Sequence, residues 1–199
     1  MATAVNRTQS RTRRLTGTAI LMALVVLLQM LATFIRPGLI PVNLVLPIIV
    51  VGAARYGAKT GALLGICFGG VVLASGITGT APLSALMWAA NPFLMTIATL
   101  GRGAAFGYMA GLAYNLMSKK NPQDGILAAA IVAPIVNTLI FLLALIFLFR
   151  PILVNMAGDT NIIYHAFIGM AGTNFIIEML INVGLVSVIA RLVRLVGSK

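Results

Sequence analysis

A chain of 199 residues in which 60% of the side chains are hydrophobic and 9% are charged cannot be an ordinary soluble domain, because such domains carry about a quarter charged residues. The formal net charge of +11 would suggest nucleic-acid binding in a soluble protein, but no mixed basic and aromatic stretch accompanies it. The single cysteine, Cys67, excludes an intrachain disulfide. The composition therefore indicates an integral membrane protein.

The positive charges follow a regular arrangement along the chain. Eleven of the fourteen basic residues lie in alternate gaps between long apolar runs: Arg7, Arg11, Arg13, Arg14, Arg55, Lys59, Lys119, Lys120, Arg191, Arg194 and Lys199. Basic residues resist translocation, so this alternation predicts six transmembrane helices with both termini in the cytoplasm. The predicted fold class is an all-α integral membrane protein.

The predicted domains, in chain order, are a basic cytoplasmic segment at residues 1–14, a six-helix membrane domain at residues 15–192 and a cytoplasmic tail at residues 193–199. The first segment is predicted to be disordered or to lie on the membrane surface. The helices are predicted at residues 15–34, 44–54, 60–75, 92–117, 125–149 and 163–192. The second is short for a span of about 20 residues, and a start near Gly38 would lengthen it.

Three outer loops separate these predicted helices, and the first follows the break at Arg36-Pro37-Gly38 and ends near Asn43. Residues 76–91 form the second; they contain Gly76, Gly79 and Pro82, which break the long uncharged stretch, and also Trp88. Residues 150–162 form the third. The sequence shows no convincing internal repeat, which weighs against a transporter built from two homologous halves.

Polar residues within the apolar runs are few and lie at similar depth. Arg102 is about ten residues into the fourth predicted helix, Asn137 is midway along the fifth, and the sixth carries Asn174, Glu178 and Asn182 at spacing i, i+4 and i+8 on one face. Polar groups in a membrane are costly unless they face protein or water, so they are functional candidates. They predict a central polar site between helices.

Two interpretations of this site stay open. In the first, Arg102 or Asn137 binds a polar or anionic ligand, and Asn174 and Glu178 complete the pocket. In the second, Arg102 and Glu178 form a structural ion pair and the asparagines cross-link helices. Both hold together if the pair orients the wall of the pocket.

Residues near the predicted outer surface are candidates for a lid. Asn43, Trp88 and Asn91 fall there, although a tryptophan at this depth is also typical of an interfacial anchor. The one histidine, His165, has no second histidine or cysteine with which to form a metal site. No nucleophile motif and no Walker A motif occurs, so the sequence predicts neither an enzyme nor a cofactor in this chain.

Small residues form two stripes. Ala19 and Ala23 make an A-x-x-x-A on the first predicted helix, and Gly61, Gly65 and Gly69 recur every four residues on the third. Such stripes let helix backbones approach closely. For the glycines, packing inside the bundle is the favoured interpretation.

Four stretches resemble a known family. They are PVNLVLP at 41–47, YGAKTGALLG at 56–65, APIVNT at 133–138 and AGTNFIIE at 171–178. Together with the size and topology, they resemble the substrate-binding S component of energy-coupling factor (ECF) vitamin transporters. The resemblance implies a six-helix bundle with a vitamin pocket in its outer half, capped by the loops after the first and third helices.

The resemblance also implies partners and a mode of transport. It implies a transmembrane T subunit that docks on the A-x-x-x-A of Ala19 and Ala23, and two partner ATPases that bind ATP and Mg. The loaded S component is expected to topple in the membrane during import. The implied location is a prokaryotic cell membrane, crossed several times.

The implied substrate is pantothenate, because Arg102 and the asparagines suit a small hydroxylated acid with an amide. Pyridoxine, hydroxymethylpyrimidine and cobalamin stay open. Two alternatives belong to other functional classes. One is a stand-alone secondary carrier with Glu178 as a proton site, and the other is a membrane scaffold. The residues expected to bind substrate are Asn43, Trp88, Asn91, Arg102, Asn137, Asn174 and Glu178.

Overall fold

The computed structural model describes residues 2–34, 44–158, 161–164, 167–168 and 172–197. All regular structure in these residues is helical. The helices are α1 (Ala2–Phe34), α2 (Leu46–Tyr56), α3 (Ala58–Ile77), α4 (Pro82–Ala90), α5 (Pro92–Met117), α6 (Pro122–Leu143), α7 (Arg150–Ala157), α8 (Ile162–Tyr164), α9 (Thr173–Gly184) and α10 (Val186–Gly197), and a π-helical segment, Ala144–Leu148, continues α6. The all-α prediction is confirmed for the described part of the chain.

Three of the described helical stretches are long and apolar enough to cross a membrane. They are Thr12–Ala32, Ala58–Ile77 and Pro122–Leu148. The helical stretches Leu46–Tyr56 and Phe175–Gly184 are apolar but shorter. The protein is therefore a membrane-type helical bundle, and the count of six spans with cytoplasmic termini stays a prediction.

Helix α2 lies at the centre of the bundle. It contacts α1, α3, α5, α6, α9 and α10, and most of its residues are buried. Around it lies one apolar cluster, here called the α2 cluster, whose largest buried members include Leu46, Ile49, Leu64, Phe68 and Phe106. The apolar composition of α2 suits this position, because helices on several sides of it bury its side chains.

A second apolar cluster joins α4 to α7. This α4–α7 cluster contains Leu83, Met87, Met95, Leu142, Leu145, Phe149 and Leu153. Its members come from α4, the start of α5, the end of α6 with its π-helical segment, and α7. The two short helices are thus packed through a core of their own.

Helices α3 and α5 pack with their backbones in direct contact. A Cβ atom added to Gly65 would overlap the carbonyl oxygen of Gly103, and the reverse also holds; Gly61 and Gly107 face each other in the same way. Backbones can approach this closely only where no side chain intervenes. The predicted role of the α3 glycine stripe in internal packing is confirmed, and α5 supplies a matching stripe.

The cytoplasmic end predicted for α1 is tied to the turn between α2 and α3. Arg14 Nη2 donates hydrogen bonds to the backbone oxygen of Tyr56 (3.0 Å) and to Oγ1 of Thr60 (3.1 Å). The Tyr56 ring also reaches α1 at Gly17, where any Cβ would overlap its hydroxyl group. These contacts fix the position of α1 relative to the central helix.

Several predicted boundaries were wrong. The segment at residues 1–14 is helical from Ala2 and not disordered, because it contains no proline or glycine to end the helix, and its predicted position on the membrane surface stays a prediction. The second and third predicted outer loops contain α4 and α7, since Pro82 and Pro151 stand in the first turn of a helix, where proline is favoured. The predicted sixth helix is divided at Leu185 into α9 and α10.

Candidate functional site

Polar side chains from α5, α6 and α9 are buried in one region of the bundle. The exposed fraction is 9% for Arg102, 3% for Asn137, 2% for Glu178 and 0% for Asn182. Arg102 is on α5, Asn137 is on α6, and the other two lie one turn apart on α9. Burial of this many polar groups is costly without partners, so their hydrogen bonds decide what the site can do.

Glu178 accepts hydrogen bonds from both buried asparagines, one through its carboxylate and one through its backbone oxygen. Asn137 Nδ2 donates to Glu178 Oε2 at 3.4 Å, and Asn182 Nδ2 donates to the backbone oxygen of Glu178 at 2.9 Å. A carboxylate and a carbonyl only accept hydrogen bonds, so these contacts fix the orientation of both amides. The Oδ1 atoms of Asn137 and Asn182 are buried, and neither has a hydrogen-bond partner among the described residues.

Arg102 is held between two aromatic rings. Its Cζ atom lies 5.7 Å from the ring centre of Phe68 on α3 and 5.1 Å from that of Phe141 on α6. Both distances fall within the range of a cation–π contact. The buried Nε of Arg102 has no hydrogen-bond partner among the described residues.

The direct ion pair between Arg102 and Glu178, one of the two interpretations open from the sequence, is not among the contacts of Arg102 that the described residues show. The charge of Glu178 favours the guanidinium electrostatically, but the contacts of Arg102 within the described part of the chain are with the two rings. Among the described residues of this region, one buried donor atom, Arg102 Nε, and two buried acceptor atoms, Asn137 Oδ1 and Asn182 Oδ1, have no hydrogen-bond partner. A small molecule that carries an anionic acceptor and several hydrogen-bond donors could form hydrogen bonds with all three atoms.

The other residues predicted to bind substrate occupy different surroundings. Asn43 lies outside the described residues, and Asn174 lies in α9 but its side chain is not among those described. Trp88 is half-buried on α4 and packs against the α4–α7 cluster. Asn91 is exposed, and its Oδ1 accepts a hydrogen bond from the backbone N–H of Leu94 (3.0 Å), which caps α5.

Sequence reasoning missed other buried polar residues and the residues that contact the site. Gln29 of α1 is 2% exposed, and a polar side chain within an apolar span is a signal that the sequence contained. Asn182 shares the face of Glu178 but was not predicted to bind substrate. Phe68 and Phe141 had no signal of their own, because nothing in their spacing distinguishes them among nine phenylalanines.

The comparison with protein families decides the class of protein. The model of the family described as "ECF transporter, substrate-specific component" matches residues 13–190. The chain belongs to this family. A comparison with curated proteins found no match.

Membership confirms the family resemblance and the membrane location of this S component. S components bind the substrate of a transporter and are not enzymes. The family implies an ECF module with a T subunit, ATPases and a small-molecule substrate. The substrate of this S component is not given by its family.

One face of α1 in this S component is exposed and apolar. Ala19 and Ala23 lie on it, beside Leu15 (71% exposed), Ile20 (57%) and Leu27 (56%). The buried residues Thr18, Val25, Gln29 and Ala32 mark the face that packs on the bundle. The two alanines therefore point away from the rest of the chain, toward lipid or a partner.

Proposed function

We propose that this S component binds pantothenate at the outer side of the membrane and delivers it through an ATP-driven ECF importer. One observation carries the proposal. Arg102 Nε, Asn137 Oδ1 and Asn182 Oδ1 are buried and have no hydrogen-bond partner among the described residues. Such atoms are costly unless a ligand pairs with them.

Pantothenate carries complementary groups. Its carboxylate is an anionic acceptor for the Arg102 guanidinium, and its amide N–H and two hydroxyl groups are donors for the asparagine oxygens. A charge pair formed between aromatic rings, away from water, is strong because little solvent screens it. Glu178 accepts a hydrogen bond from Asn137 and in this way orients the amide oxygen toward the ligand.

The alternative substrates would pair with fewer of these three buried atoms. Pyridoxine and hydroxymethylpyrimidine are flat rings without a carboxylate, so they leave the guanidinium without an anionic partner. Cobalamin is far larger than the span between a few side chains on adjacent helices. These compounds serve as the comparison set for the binding experiment.

The proposed partners are a T subunit, docked on α1 at Ala19 and Ala23, and two ATPases that bind ATP and Mg. The exposure of both alanines supports this docking. A stand-alone carrier with Glu178 as a proton site is the competing mechanism. Uptake into proteoliposomes separates the two: we expect it to require the T subunit, the ATPases and ATP, and to persist when an ionophore dissipates the proton gradient. Uptake by the chain alone would establish the carrier.

The substrate is tested by thermal unfolding of the detergent-purified full chain with pantothenate, pyridoxine, hydroxymethylpyrimidine and cobalamin. A ligand stabilises the native state that binds it, by about 3 kcal/mol at a hundredfold excess over Kd. We expect a saturable rise in melting temperature with pantothenate alone. A rise with another compound of the set, or with none, contradicts the substrate assignment.

A further inference from the structure

Arg102 lies at the junction of the two apolar clusters. Phe68, which contacts it at 5.7 Å, is a fully buried member of the α2 cluster. Phe141, at 5.1 Å, packs against the α4–α7 cluster. The guanidinium is therefore in contact with one ring from each core.

A guanidinium group offers its planar faces and its edges to different partners. Aromatic rings interact with the cation through their faces, whereas the N–H donors point outward along the edges of the group. Two phenylalanines can thus hold Arg102 without using any of its donors. The buried Nε, which has no hydrogen-bond partner in the described part of the chain, agrees with this division.

Phe68 is itself fixed in place. Its ring packs edge-on against Phe106, with centres 5.6 Å apart and planes at 78°. Phe141 lies one turn beyond Asn137 on α6, so the same helix places a ring on the guanidinium and an amide beside Glu178. These elements define the position of Arg102 before any ligand arrives.

We infer that Phe68 and Phe141 are positioning residues that keep the Arg102 guanidinium out of an ion pair with Glu178 and available to an anionic ligand. The inference rests on the proposed function and adds a reason why the site would select an anionic substrate over a neutral one. The charge of Glu178 attracts the guanidinium, and we expect Arg102 to turn toward that carboxylate where no ring face holds the cation. The ligand would then find a neutralised pair rather than a cation.

Phe141 is the residue to change, because Phe68 is part of the central core. In Phe141→Leu the side chain still fills space but has no ring face for the cation, whereas Phe141→Tyr keeps the face. Phe147→Leu is the matched control, since Phe147 is 75% exposed and follows closely on the same helical segment. The probes are pantothenate and panthenol, in which an alcohol replaces the carboxylate.

We measure the affinity of the full-length protein for both probes by calorimetry. The ratio of the affinity for pantothenate to that for panthenol should fall about tenfold in Phe141→Leu, the effect of losing one desolvated cation–π contact. It should stay near the wild-type ratio in Phe141→Tyr and Phe147→Leu. An unchanged ratio in Phe141→Leu, or an equal fall in Phe141→Tyr, overturns the inference.

A wild-type protein that binds neither probe would overturn the proposed substrate and not this inference. The positioning role is then decided without ligand, from the apparent melting temperatures of Arg102→Met, Phe141→Leu and the double variant. Changes in melting temperature that do not add in the double variant, and that Phe141→Tyr does not reproduce, support the role. Strictly additive changes overturn it, because independent residues do not couple.

Discussion

Asn137 on α6 donates a hydrogen bond to the carboxylate of Glu178 on α9 over 3.4 Å, with both side chains buried. The two residues are 41 positions apart in the chain. This contact is a polar link between α6 and α9. The geometry of the candidate site therefore depends on the docking of α9 as well as on α5 and α6.

Asn137→Ala should weaken pantothenate binding about tenfold and lower the stability by about 1–3 kcal/mol, because it removes a buried acceptor and leaves Glu178 without this donor. Calorimetry and thermal unfolding measure the two effects. Leu139→Ala, at a residue 48% exposed on the same helix, is the control and should leave affinity unchanged. If Asn137→Ala lowers only the melting temperature, the amide cross-links helices and does not touch the ligand.

Arg102→Met should remove most pantothenate affinity, by about 2–5 kcal/mol, since it deletes the cation that pairs with the carboxylate. The ligand-free variant should unfold at the same temperature as the wild type or higher, because a buried guanidinium carries a large desolvation cost. Comparing melting curves with and without ligand tests both statements. Retained affinity with a lower melting temperature would assign Arg102 to the fold instead.

Gly103→Ala should destabilise the protein by about 1–3 kcal/mol, because the new methyl group would overlap the backbone of Gly65. Gly101→Ala, two residues away on α5, should be neutral or stabilising by up to about 1 kcal/mol, since no described atom beyond its own helical turns lies within 4 Å of the added Cβ. Apparent melting temperature and monodispersity on size exclusion report the difference. Equal behaviour of the two variants would refute the close α3–α5 contact.

Ala19→Trp and Ala23→Trp should abolish ATP-driven uptake and co-purification with the T subunit, and should leave pantothenate affinity within about twofold. A bulky ring on the proposed docking face blocks close helix approach, while the ligand site draws on other helices. Leu180→Trp, at a residue 67% exposed on α9, is the control for a large lipid-facing side chain. Loss of affinity in a folded alanine variant would remove the docking role.

Much of the helical order could be predicted where local signals were strong. The helix predicted at residues 92–117 matches α5, because Asn91 caps it, Pro92 starts it and a turn at Ser118 follows it. Helix α4 was missed because glycines and a proline within an uncharged stretch are typical of a loop. Pro82 instead begins a short helix that is held by the α4–α7 cluster, a tertiary contact that no local pattern contains.

The candidate site, too, could be predicted from the sequence only in part. Arg102, Asn137 and Glu178 could be predicted because polar residues in membrane spans are rare. The contact of Arg102 with two rings rather than with Glu178 could not be predicted. It depends on the distances between α3, α5 and α6. Between α3 and α5, that distance follows from backbone contacts such as Gly65 with Gly103, which only the folded protein shows.

The hydrogen bonds of Arg14 to Tyr56 and Thr60 have a mechanical consequence. They connect α1, which has an exposed apolar face, to the turn that joins α2 and α3. A displacement of α1 is therefore coupled through Arg14 to the start of α3 and the end of α2. We expect a partner that binds α1 to move this turn together with the helix.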